Sequence, residues 1–163
     1  MSAHFLFYFK FNSFNARLIQ NPYRKCRYAG SNQFTRATPG DTIYIVTQEP
    51  NTKCLYLIAR LVVANILPQL EAALYLSERP EDLWQASLYA VVDNTAAEPF
   101  KLINLMPWAE ELRFISAKHS DRLIVKDGVV NPQQLQTARL LDPASAALLN
   151  DIWRTGRDEL IKG

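Results

Sequence analysis

The chain has 163 residues, 48% of them hydrophobic and 21% charged, with a formal net charge of +2. That balance describes a single globular domain over residues 1–163 and excludes a disordered tail or a low-complexity array. The longest apolar run, residues 55–64, is broken by Arg60 and falls short of the ~20 residues a membrane-crossing helix needs. No signal-peptide pattern opens the chain, so a cytoplasmic protein without a membrane partner is expected.

Residues 4–11 read His-Phe-Leu-Phe-Tyr-Phe-Lys-Phe, an aromatic run that predicts a strand buried on both faces. Asn12-Ser13 and Asn15 predict a turn after it. Residues 21–41 have no clean period and are punctuated by Asn21-Pro22, Gly30-Ser31-Asn32 and Pro39-Gly40-Asp41. A long irregular loop is expected there, and such loops often carry function. Residues 42–47 predict a second strand, and Pro50-Asn51-Thr52 turns it back into a third over residues 54–63. Residues 67–83 read as part helix, with a helical turn at Pro80-Glu81-Asp82 beside Trp84. Residues 87–92 predict a strand, residues 93–99 a polar loop and residues 100–105 a further short strand. Two more strands are predicted over 112–116 and 123–126, with Asp127-Gly128 as a turn, and residues 132–141 have helical spacing. Asp142 as N-cap and Pro143 at the first helical position open a last helix. Its Leu148, Leu149, Ile152 and Trp153 form an apolar stripe, and Gly156 is placed to end it. About six strands in hairpin-like order, with helices late, predict an α+β fold. Its simplest form is a small curved mixed or antiparallel sheet or pseudo-barrel, with helices at the edges and a C-terminal helix.

Charge is distributed unevenly along this frame. The first acidic residue is Asp41, and before it stand Lys10, Arg17, Arg24, Lys25, Arg27 and Arg36. Residues 41–163 then hold 12 Lys and Arg against 16 Asp and Glu. A basic end of this kind prefers anions, and nucleic acid is the commonest large anion in a cell. The same segment carries Phe5, Phe7, Tyr8, Phe9, Phe11, Phe14, Tyr23, Tyr28 and Phe34. Cations hold phosphates and ring faces hold bases, although the same rings also suit a core strand with a solvated charged rim.

Catalytic signatures are missing from the sequence. The glycines at 30, 40, 128, 156 and 163 form no phosphate loop, and no Gly-x-Ser-x-Gly elbow occurs. Ser116, His119, Ser120 and Asp121 are sequence neighbours, but triads are assembled from distant positions, so they read as a loop. Glu110 and Glu111 offer a carboxylate pair, but adjacent side chains on one element rarely face the same point. Lys126 lacks the acid two residues earlier that a nuclease site would want. Cys26, Cys54, His4 and His119 show no ligand spacing, so no metal, no cofactor and no required disulfide are expected. A binding module rather than an enzyme is the expectation.

Binding chemistry is better represented. Arg24-Lys25-x-Arg27-Tyr28 places three cations and a ring within five residues, and arginine forks onto phosphate or stacks on bases. Asn32 and Gln33 carry amides that read base edges or bridge turns, and Arg36 adds a cation beyond them. Trp84 and Trp108 lie near element boundaries beside acidic residues, as walls of an aromatic pocket or as core. Trp153, in the helical stripe, reads as core.

The run Arg27-Tyr28, Phe34-x-Arg36 and Gly40-Asp41 leading into Ile43-Tyr44-Ile45 resembles the PUA-like superfamily, and within it the EVE domain. The resemblance covers residues 27–63 and matches loosely over residues 57–63. It implies a pseudo-barrel with an aromatic pocket that accepts a base, often a modified one, in RNA or DNA. EVE and related YTH domains occur in modification readers and as recognition modules of modification-dependent restriction systems. Tyr28 stands where the family has Asn, and Phe7-Tyr8-Phe9 stands where EVE proteins start with Tyr-Trp.

Together these readings predict a nucleic-acid-binding module, for DNA or RNA, that recognises a modified or flipped base and works with a partner effector protein. Arg24, Lys25, Arg27 and Arg36 hold the backbone, Tyr28, Trp84 and Trp108 supply stacking, and Asn32 or Gln33 reads the edge. One alternative is a protein-interaction subunit of a larger assembly. From Glu71 to Glu111 eight acids face only Arg79 and Lys101, a surface for a basic partner. The other is a nucleic-acid-processing enzyme whose site has no recognisable motif.

Overall fold

Strand alternation sets the layers of this molecule. In β4 (Thr42–Gln48), Ile43 and Ile45 join one buried cluster while Tyr44 and Val46 join another, because successive side chains point to opposite faces. The same split runs through β1 (His4–Tyr8), where Phe5 and Phe7 go one way and Leu6 the other. The central sheet is therefore buried on both faces, as the aromatic-rich run predicts, but β1 stops at Tyr8, short of the predicted residue 11, and Phe11 opens a helix.

The computed structural model describes residues 2–115 and 120–160. After β1 come α1 (Phe11–Gln20), β2 (Lys25–Cys26) and β3 (Tyr28–Gly30), then β4, β5 (Leu55–Val62) and β6 (Asn65–Leu67). There follow α2 (Gln69–Leu76), β7 (Tyr89–Val91), β8 (Glu98–Pro99), β9 (Ile103–Asn104), β10 (Val125–Lys126) and β11 (Val129–Val130). β12 (Arg139–Leu140) and α3 (Pro143–Thr155) end the series. The central sheet has the order β12-β1-β4-β5-β9, and a second sheet has the order β3-β7-β6. β1 and β4 run parallel, which requires a crossover, and α1 lies within it. The other pairs in the central sheet are antiparallel, including the predicted β4–β5 hairpin. The fold is thus α+β with a mixed sheet and a C-terminal helix. The sheets are open, and the pseudo-barrel form is not adopted.

On one face of the central sheet, Phe14 and Leu18 of α1 pack with Phe5, Phe7, Phe9 and Ala29. On the other, Leu149, Ile152 and Trp153 of α3 pack with Leu6, Tyr44, Val46 and Leu57. Trp153 is core, and its indole N–H donates to the Glu98 carboxylate. The Asp142 carboxylate accepts the Ser145 N–H at 2.8 Å and so caps α3, as its sequence predicts. Gly156 ends α3 with extended backbone (φ −67°) rather than a left-handed turn. Glycine is needed there for space, since a Cβ would lie 2.5 Å from the Ile152 carbonyl oxygen.

The Gly-Asp entry to β4 has a local explanation. Gly40 adopts φ +94°, a conformation side chains resist, and it turns the chain into the strand. Asp41 is 3% exposed, and its carboxylate accepts the Ala3 N–H and the Thr38 N–H, each at 2.9 Å. It ties the start of β1 to the start of β4. Asp41→Ala strands both N–H donors, and a loss of about 2–3 kcal/mol is expected as a lower urea midpoint with an unchanged m-value.

Four local expectations are corrected. Asn12, Ser13 and Asn15 do not form a turn but the exposed face of α1, because Phe11, Phe14 and Leu18 at helical spacing find a sheet to cover. Residues 21–41 are not one irregular loop, since β2 and β3 pair with β8 and β7 and residues 34–36 form a helical turn. The predicted strand over 112–116, whose Ser116 lies outside the described residues, is not regular over 112–115: Arg113 and Phe114 form only isolated bridges, to Arg122 and Leu141. Residues 132–141 are not a helix. A single 3₁₀ turn, Pro132–Leu135, gives way to β12, because pairing with the edge of β1 outweighs local spacing.

Candidate nucleic-acid interface

The polar face of α1 organises the surface. Ser13, Arg17 and Gln20 are spaced by four and three residues, so they share one side of the helix, away from the buried Phe14 and Leu18, and Lys10 stands at its N-cap. At the C-terminal end of this face, Arg17, Arg24, Lys25, Arg27, Tyr28 and Glu78 line a cleft of about 350 Å³. Arg17 and Arg24 also line an adjoining cavity of about 500 Å³ that runs to Arg79 and Asp82. At the N-terminal end, Tyr8, Phe9 and Trp84 wall a pocket of about 540 Å³, with Lys10 and Ser13 at its rim. That volume lies in the range typical of small-molecule sites.

The Tyr28 hydroxyl joins the two ends. It accepts a hydrogen bond from the Arg17 guanidinium at 3.0 Å and another from the Trp84 backbone N–H at 3.1 Å. The guanidinium also lies 5.4 Å from the Tyr28 ring centroid and 6.0 Å from that of Phe9. Tyr28 is therefore a buried strut, not an open stacking surface. Trp84 stacks on Phe9 at 3.9 Å and 16°, so it is both packed against the core and a wall of the pocket.

Other predicted residues take different places. Arg24 is half-buried and Lys25 exposed, and both line the cleft. Arg27 donates to the Leu76 carbonyl at 2.9 Å and lies 3.7 Å from the Glu78 carboxylate, so it closes the C-terminus of α2. Arg36 is exposed on the turn Phe34–Arg36 and is not part of the cleft. The Asn32 side-chain oxygen accepts both the N–H and the hydroxyl of Ser87 at 2.9 Å. The Gln33 amide donates to the Gln136 carbonyl at 2.8 Å and accepts the Ala138 N–H at 2.7 Å. These two side chains bridge segments distant in sequence rather than local turns. Trp108 packs on the cluster of the opposite sheet face and takes no part in the pocket with Trp84.

No family model, curated protein or solved structure matches this chain. What the surface does is therefore argued from its own residues. Of the polar quartet, Ser116 and His119 lie outside the described residues, while the Ser120 hydroxyl accepts the Arg122 N–H. Among the described residues, no group of three His, Cys, Asp or Glu side chains is placed to hold a metal ion. Cys26 sits among the cleft residues, but burial pushes its thiol up to about 12, so it stays neutral and unreactive at physiological pH. No helix among those described is long and apolar enough to cross a membrane.

Lys10, Ser13 and Arg17 were not singled out as a set by local reading. The signal was present in the complementary spacing of Phe11, Phe14 and Leu18, but it was masked by the turn-forming Asn12, Ser13 and Asn15.

Proposed function

We propose that this protein binds nucleic acid, holding phosphates in the cleft of Arg17, Arg24 and Lys25 and one base in the pocket walled by Trp84. The carrying observation is that one face of α1 lines both cavities. Lys10 and Arg17 are seven residues apart, about 10 Å of helix, so a short stretch of strand reaches both. Guanidinium groups bind phosphate oxygens and desolvated aromatic walls hold bases, and each needs the other to give both affinity and discrimination. A concave pocket admits a base only out of its stack, so the ligand is a single strand or a flipped nucleotide.

The test is fluorescence anisotropy with labelled single- and double-stranded DNA and RNA, plain and carrying methylated cytosine or adenine, at two salt concentrations. Binding that weakens steeply with salt and favours unpaired or modified bases is the expected result. No binding to any member at low salt overturns the proposal. A second reading, a protein-interaction subunit, is favoured by α2, which exposes Leu70 (69%) and Leu74 (81%) one turn apart. It is the account left standing if the oligonucleotides do not bind.

A further inference from the structure

The turn Pro132–Leu135 and the residue after it line the Trp84 pocket together with Tyr8 and Phe9. It carries three glutamines, and they are used differently. The Gln134 carboxamide is spent as a clamp: it accepts the Ile124 N–H at 2.7 Å and donates to the Ile124 carbonyl at 3.0 Å. Gln133 and Gln136 line the pocket, and their carboxamides meet no hydrogen-bond partner among the described residues. The frame under them is held from both ends. The Asn131 side chain accepts the Gln133 N–H at 3.0 Å, and Gln33 grips the Gln136 carbonyl and the Ala138 N–H.

Other polar groups on the pocket are less directional. The Tyr8 hydroxyl is already engaged by the Gln48 backbone, and Lys10 and Ser13 sit on α1 at the rim. A carboxamide offers a donor and an acceptor in one plane, which is the complement of a base edge. Two such groups on a pinned turn, facing aromatic walls, make a reader rather than a surface decoration.

We infer that Gln133 and Gln136 read the edge of the base held in the Trp84 pocket. This rests on the nucleic-acid reading above and moves edge recognition from Asn32 and Gln33, whose amides are engaged elsewhere. Gln33 becomes a positioning residue that sets the height of the reading turn.

The experiment measures anisotropy on labelled single-stranded homopolymers of A, C, T and U with the native protein and with the double variant Gln133→Ala/Gln136→Ala. Both side chains are exposed and bond to no described residue, so the variant is expected to keep its fold, checked by its thermal midpoint. The native protein is expected to prefer one base by about tenfold or more, the worth of a bidentate contact. The variant is expected to bind all four within about threefold of one another, with the salt slope unchanged. A variant that keeps the native preference overturns the inference, as does a native protein with no preference, and both leave phosphate binding in place. A native protein that binds none of the four at low salt overturns the underlying reading as well.

Discussion

Arg17→Ala combined with Arg24→Ala is expected to leave the domain folded and to flatten the salt dependence of single-strand binding. Both side chains are half-buried, and among the described residues they are the arginines that line both the cleft and the adjoining cavity, whereas Arg27 holds a helix end and Arg79 pairs with Asp82. On single strands each neutralised phosphate contributes about 0.7 to the slope of log affinity against log salt, so losing two lowers it by about 1.4. Affinity at moderate salt is expected to fall roughly 10- to 100-fold, equally for all sequences, because phosphate contacts carry no base information. The Tyr28 hydroxyl keeps the Trp84 N–H when Arg17 is gone, so the pocket wall stays in place. Arg27→Ala should behave differently. That side chain spends its hydrogen bonds on Leu76 and Asn94, and its loss is expected in stability more than in slope. A slope unchanged in the Arg17/Arg24 variant removes the cleft from the site.

Phe14→Ala is expected to cost about 3–5 kcal/mol, a large share of the roughly 5–15 kcal/mol that holds a domain of this kind. Phe14 is 2% exposed, and its ring meets Phe100 edge-on at 5.6 Å between centroids. α1 has ten residues and no side-chain cap at its N-terminus, and helices this short do not persist in water without packing. Removing the anchor should therefore free the helix and scatter Lys10, Ser13 and Arg17. The expected signature is a lower urea midpoint, faster amide exchange over residues 11–20, and loss of oligonucleotide binding even where most of the domain stays folded. Native-like exchange in α1 together with native-like affinity would show that the helix is not the frame of the site.

Gly40-Asp41 has a local physical cause: the glycine turns the chain and the aspartate carboxylate ties two parallel strands together. Tyr28 is a buried strut between Arg17 and Trp84. Asn32 and Gln33 were legible as residues with either of two uses. Their partners, Ser87 in one case and residues 136 and 138 in the other, are more than 50 positions away, and no local spacing could choose between those uses.

Several features were decided by the sequence itself: the two-faced burial of β1, the β4–β5 hairpin, the Asp142-Pro143 start of α3, its apolar stripe and the basic bias of the first 40 residues. Each depends on residues within a turn or two of one another, where propensity, capping and strand alternation act directly. Tertiary structure decided the rest. α1 forms because the sheet supplies a surface for Phe11, Phe14 and Leu18, against local signals for a turn. Residues 139–140 become a strand because β1 leaves an edge to pair. The site follows from the same cause: Lys10, Arg17, Arg24, Trp84, Gln133 and Gln136 share one surface only because long-range packing brings three separate segments against α1, and no local periodicity encodes that meeting.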